Sequence, residues 1–169
     1  MPKDETMGIK CKTSAHEISD YLGQKMEAFR KASFKTLQYV GEQAIKEARE
    51  NGKYKDRTGN LRSSIGYCIL DNGKVIAESS FKVEKGTYTD ERGNKHPYSG
   101  DQGAREGREF LNSLISKHSS GMVLIIVAGM QYADYVEAKN LNVLDSAEQL
   151  TERLLSQLLK SIKFESNRI

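Results

Sequence analysis

Apolar residues recur along the first third of the chain at Ile18, Leu22, Met26, Phe29, Leu37, Val40, Ala44 and Ala48. Steps of three and four dominate, which gathers them into one stripe of a helix. Ser14 and Glu17 stand in the capping-box arrangement ahead of that stripe, and Asn51-Gly52 supplies a stop. The pattern predicts a helix from about residue 14 to 50, ~50 Å long at 1.5 Å per residue, with Gly23 as a candidate kink. Such a helix exceeds the diameter of a small domain, so part of it should project or pack on another subunit.

The period then changes. Asp56-Arg-Thr-Gly59 is turn chemistry, and a strand is expected from Leu61 to Leu70. Asp71-Asn72-Gly73 is a hairpin signal, because Asn-Gly takes the positive φ angles of a tight turn. The return strand is expected over Lys74 to Phe81, with Val75, Ala77 and Phe81 alternating. Residues 82–108 are polar, charged and glycine-rich. Two readings are open there: an extended arm whose second hairpin is tipped by Asp90–Asn94, or a mobile surface loop.

Glu106 to His118 predicts a short helix with Phe110, Leu111, Leu114 and Ile115 on one face, broken by Gly121. Met122 to Ala128 is continuously apolar, as in a strand buried on both faces. Tyr132 to Glu137 predicts a turn or short helix, and Asn142-Val-Leu144 a brief strand. Asp145 with Glu148 repeats the N-cap pattern before a final helix carrying Ala147, Leu150, Leu154, Leu155, Leu158 and Ile162. The order predicts an α+β fold. It has a long N-terminal helix, a mostly antiparallel small sheet with a hairpin, a short middle helix and a C-terminal helix. The expected organisation is a flexible lead, 1–13, followed by one domain, 14–165, with the arm or loop at 82–108.

Composition narrows the function classes. The chain has 169 residues, 29% charged and 37% apolar, with a net charge of +3, as expected of a globular chain with a wet surface. Residues 1–60 hold twelve Lys/Arg against nine Asp/Glu, and the remainder fourteen of each. Strong nucleic-acid binders concentrate positive charge further than this, so a nucleic-acid partner is not expected. Cys11 and Cys68 are too few and too distant for a disulfide framework, and Cys68 reads as a small core residue. No apolar run approaches the ~20 residues of a spanning helix, and the start has no apolar signal core. No membrane partner and a cytoplasmic site of synthesis are expected.

Chemistry is sparse. His16, His96 and His118 lack metal-ligand spacing to one another or to a cysteine. His16 should be solvated within the capping box, and His118 should end a helix, where its charge suits the dipole. The glycines of Gly100–Arg108 precede a helix but lack the Gly-Lys-Ser/Thr of a phosphate cradle. They read as a hinge. Asp90-Glu91 and Asp134/Glu137 read as solvated carboxylates. Ser63 and Ser64 sit outside any nucleophile-elbow turn. No catalytic, cofactor-binding or metal-ligating residue is assigned, and no enzyme activity is expected.

Two segments carry a resemblance. Asp56-Arg-Thr-Gly-Asn-Leu-Arg-Ser-Ser-Ile65 together with Val127-Ala-Gly-Met-Gln-Tyr-Ala-Asp-Tyr-Val-Glu137 resembles the small tail-component family of long-tailed bacteriophages, also called tail-completion or neck proteins. In that family a long helix leads to a Thr-Gly-x-Leu-Arg-x-Ser-Ile turn and strand. A later apolar strand ends in Tyr-Ala-x-Tyr-Val-Glu. The residues matched here are Thr58, Gly59, Leu61, Arg62, Ser64 and Ile65, then Tyr132, Ala133, Tyr135, Val136 and Glu137. The layout agrees over about residues 15–160, while residue detail is confined to these two segments. Family members often continue through a glycine to a Pro-Phe-Leu-like stretch. This chain reads Ala138-Lys-Asn-Leu-Asn-Val-Leu144 instead, which leaves subfamily and ring position open.

The residues also have readings of their own. Strand alternation puts Leu61, Ser63 and Ile65 on one face and leaves Arg62 and Ser64 on the other, available to a neighbour. Tyr132, Tyr135 and Val136 are expected over the sheet end, with Glu137 meeting an arginine such as Arg62, either within the chain or across a subunit contact. The resemblance implies a structural virion protein of a phage or prophage, made in the bacterial cytoplasm. It would complete the tail or join head to tail by forming a ring with copies of itself, sixfold in the usual picture, and would contact other tail or neck proteins. No cofactor is implied. The alternatives are a nucleic-acid-binding module using the basic N-terminal helix, or a small hydrolase or nuclease.

Overall fold

The computed structural model describes residues 13–161. Cys11, Ile162 and the outer parts of the expected lead and domain lie outside the described residues. Helix α1 spans Ala15–Glu50. Ser14 is its N-cap: the Ser14 Oγ accepts from the Glu17 N–H, and the Glu17 carboxylate accepts from the Ser14 N–H. Asn51 closes it. The helix runs unbroken through Gly23, about 54 Å by its 36 residues.

The turn after α1 differs from expectation. Asn60–Ser63 is a single helical turn, α2, and strand β1 begins only at Ile65 and ends at Asp71. Gly59 initiates that turn at φ 69°, a left-handed backbone that glycine adopts freely. Strand β2, Lys74–Glu78, returns antiparallel through Asn72 (φ 49°) and Gly73 (φ 77°). Strands β3, Lys85–Thr89, and β4, Lys95–Ser99, form a separate antiparallel hairpin. Its Asp90 tip carboxylate accepts from the backbone of Arg92 and Asn94. Of the two readings of 82–108, the hairpin is the one observed.

Helix α3 spans Asp101–Ile115, five residues earlier than expected. It ends three residues before His118, whose backbone N–H donates to the Ile115 carbonyl at 3.2 Å. Strand β5, Met122–Ala128, follows, then the short α4, Ala133–Glu137, and α5, Asp145–Ser161, which packs on α1. No strand forms at 142–144, where Asn142 takes φ 57°.

The main sheet has the order β2-β1-β5, all antiparallel. The central strand is therefore β1, and β5, expected to be buried on both faces, lies at an edge with only Ile125 and Val127 buried. Ile65 to Leu70 are all buried, because both faces of β1 are covered. Ile65, Tyr67 and Ile69 meet Ala44, Ile45 and Ala48 of α1 and Ala147 of α5. Cys68 and Leu70 meet Ala104 and Leu111 of α3, with Phe81. Burial pushes the Cys68 thiol up to about 11, which suits an inert core residue. Phe110, expected on the buried face of α3, is exposed.

Gly103 and Gly107 are not a hinge. They lie inside α3 and let it touch the α2 turn: a Cβ on Gly103 would overlap the Asn60 carbonyl, and one on Gly107 would press on the Ser64 carbonyl and the Phe81 ring. Gly103→Ala is expected to destabilise the chain by about 1–3 kcal/mol through overpacking. Gly23→Ala, where a Cβ meets nothing within 4 Å, should stabilise by roughly 0.5–1 kcal/mol through helix propensity. Urea unfolding of the two variants checks both signs.

Candidate functional site

The residues 58–65 and 127–137 meet at one end of the sheet. The Gly129 N–H donates to the Ser64 carbonyl at 3.1 Å. Leu61 packs with Met130, Ala133, Tyr54 and Val143 in a buried cluster. The two segments therefore form a single joint, contributed by α2, the start of β1, the end of β5 and α4.

Much of the side-chain chemistry inside the joint is committed to backbone groups, although the Tyr54 hydroxyl and Arg49 Nε are buried without a hydrogen-bond partner among the described residues. Arg62 donates from Nε to the Arg49 carbonyl at 3.0 Å and from Nη2 to the Gly52 carbonyl at 3.4 Å. It thus caps the C-terminus of α1, where a cation suits the dipole. Its guanidinium also lies 4.9 Å from the Tyr54 ring centre, while its backbone N–H donates to Asp56 at 2.9 Å. Arg62 is consequently turned inward, not held free for a neighbour. Arg49 Nη2 reaches the Ile65 carbonyl at 2.7 Å, and burial lowers the Arg49 pKa.

Ser63 and Ser64 are both fully buried, so the expected exposed face of Ser64 does not exist. Helical rather than strand geometry at 60–63 is the reason. Ser63 Oγ donates to the Gly59 carbonyl at 2.6 Å and accepts from the Glu84 N–H at 2.8 Å, tying the base of the second hairpin to the joint. Ser64 Oγ donates to the Leu61 carbonyl at 2.8 Å.

Within the chain Glu137 does not meet Arg62. Its carboxylate accepts from the backbone N–H groups of Val143, Leu144 and Asp145. It caps the start of α5 as a through-space partner, the place the sequence pattern gave to Asp145. Asn142 Oδ1 completes the cap by accepting from the Ser146 N–H at 2.9 Å. Burial opposes the charge on Glu137, but the N–H donors from Val143, Asp145 and Leu144 and a hydrogen bond with Asp145 outweigh it and hold its pKa below the usual value. Asp145, sharing that hydrogen bond, is raised. Ala133 is buried, whereas Tyr132 and Tyr135 are exposed rather than laid over the sheet end.

Elsewhere, an open cleft of about 990 Å³ separates the β3–β4 hairpin from Lys55–Arg57. Its charges are mixed, and its His96 is hydrogen-bonded to Asp90 at 2.9 Å and stacked on Tyr88. That bond and the tip N–H donors hold Asp90 at about 2. Among the described residues no group of three or more His, Cys, Asp or Glu is placed to hold a metal ion. No described helix is long and apolar enough to cross a membrane.

No family model, curated protein or solved structure matches the chain.

Exposed apolar surface lies elsewhere. Arg30 pairs with Asp71 at the tip of the β1–β2 hairpin, so the helix before it extends past the end of the sheet. There Ile18, Tyr21, Leu22, Met26 and Phe29 are 42 to 65% exposed. This is the same stripe that Val40, Ala44 and Ala48 bury further along. Val75 and Ile76 on β2 are exposed as well.

Glu137→Gln removes half the acceptor capacity of the α5 cap and should destabilise the chain by about 1–3 kcal/mol near neutral pH. Because the Glu137 pKa is lowered on folding, its contribution is present above the ordinary 4.5 and is lost as pH falls through the folded value. Denaturation of wild type and Glu137→Gln should therefore differ near pH 7 and converge under acid.

Proposed function

We propose that this chain is a structural subunit of a bacteriophage or prophage tail or neck, acting in tail completion or head–tail joining by assembling into a ring with copies of itself. The observation that carries the reading is spatial. The two segments that resemble the tail-component family, far apart in sequence, pack into one joint through Ser64–Gly129 and Leu61–Met130–Ala133. Antiparallel pairing of β1 with β5 sets Ile65 opposite Ala128 and so brings the two segments together.

Exposed surface supports the same reading. A helix that extends past its own sheet with five large apolar side chains in a stripe suits contact with another chain better than solvent. The expected partners are further copies and the adjoining tail or neck proteins. The joint's serine hydroxyls are spent on backbone carbonyls, and no enzymatic step is proposed.

Negative-stain microscopy with light-scattering mass tests the reading. Closed particles of several copies are expected on concentration, and Leu22→Glu with Met26→Glu should weaken them. Deleting the gene from its phage or prophage should leave heads and tails unjoined or tails of irregular length. Fully infectious particles after deletion would contradict the proposal.

A further inference from the structure

Strand β5 is an open edge of unusual character. Its residues, Met122 to Ala128, include no charge, proline or glycine, and on the side away from β1 it pairs with no described strand. Natural edges are normally blunted by lysines, prolines, bulges or cover. Here the cover stands back from the edge. Phe110 and Leu114 of α3 rise on one side, and Leu144, Ala147 and Thr151 on the other, leaving grooves of about 140 and 240 Å³ against Ile126 and Ala128. The two grooves make a slot beside the edge, lined mostly by apolar side chains, with Asp134, Glu137 and Glu148 as its charged members.

The opposite edge has the complementary shape. On β2, Val75 and Ile76 stand exposed side by side. Val75 pairs with Leu70, on the α3 side, and Ala77 with Ile69, on the α1 side. Between them Ile76 is the extra residue of a bulge. Strand β2 therefore carries apolar side chains toward both layers. The β3–β4 hairpin is a poorer match: β4 contains Pro97, which lacks an N–H, and β3 carries no aliphatic side chain.

Direction also fits. Strands β2 and β5 are each antiparallel to β1, so they run parallel to one another. A second copy shifted sideways in the sheet plane brings its β2 alongside β5 without being turned over. Repetition of that step is head-to-tail, the interface type that closes into a ring when the rotation allows.

We propose that β2 of one copy adds to the β5 edge of the next, with Val75 and Ile76 seated between α3 and α5. This rests on the self-assembly reading above and names its interface. The bulge limits the added strand to a short segment, so the seated side chains carry more of the affinity than backbone pairing does.

Sedimentation of the full chain over a wide concentration range tests the pairing. Val75→Lys with Ile76→Lys alters only exposed positions, so it should melt like wild type while self-association weakens about thirtyfold or more, as on loss of an interface hot spot. Phe110→Glu, on the slot wall, should do the same. An equimolar mixture of these two variants should form a 1:1 dimer and grow no further, because one keeps an intact slot and the other an intact β2. Association of the lysine variant at wild-type strength overturns the edge pairing. If Leu22→Glu then abolishes it, the α1 stripe is the interface and the self-assembly reading stands. A mixture that stays monomeric also overturns the pairing, and a wild-type chain monomeric at every concentration overturns both.

Discussion

Everything in this fold depends on how closely α3 lies against the α2 turn. Gly103 and Gly107 present bare backbone to Asn60 and Ser64, and Gly129 of the β5 end lies against Gly107. Asn60 Oδ1 accepts from the Gly103 N–H at 3.1 Å across that contact. With α3 seated there, Leu111 and Ala104 reach Cys68 and Leu70, and β1 becomes buried on both faces. A methyl group in the gap would lever α3 away from the sheet. Three glycines spread over 27 positions thus act as one packing device, in which the absence of side chains is the functional property.

The joint built on that contact divides the molecule's labour. Arg62, Ser63, Ser64 and Glu137 are the residues a sequence reader would first offer to a partner or a substrate. Each is spent on a carbonyl or an N–H of its own chain, at the end of α1, the base of the second hairpin, the α2 turn and the start of α5 respectively. Polar groups satisfied in this way hold a geometry and are not free to react. Exposed apolar surface lies elsewhere, on the outer half of α1 and along the β2 edge.

Much of the layout was legible because it rests on local signals. The Ser14–Glu17 box, the period of α1 and the Asn72-Gly73 turn each act within a few residues, and each is found where the sequence places it. What the sequence hid is set by contacts at long range. The α2 turn reads as strand because Leu61, Ser63 and Ile65 alternate, yet Asp56 and Gly59 start a helical turn there. Glycines at 103 and 107 lower helix propensity, and only the facing Asn60 backbone explains their presence inside α3. Their four-residue spacing, which places both on one helix face, was the available clue. Glu137 capping α5 from outside that helix leaves no local pattern at all, while Asp145-Ser-Ala-Glu148 supplies a decoy.

The central claim is that the joint holds the fold while the sheet edges hold the subunits, and hydrogen exchange tests it most directly. Amide protection would be followed in dilute and in concentrated solution. The account predicts that Ser63, Ser64, Gly103 and Gly129 are protected equally in both, while outward-facing amides of Met122–Ala128 and Lys74–Glu78 slow only on concentration. Protection at the joint that appears only on association, with both edge strands unchanged, would contradict it.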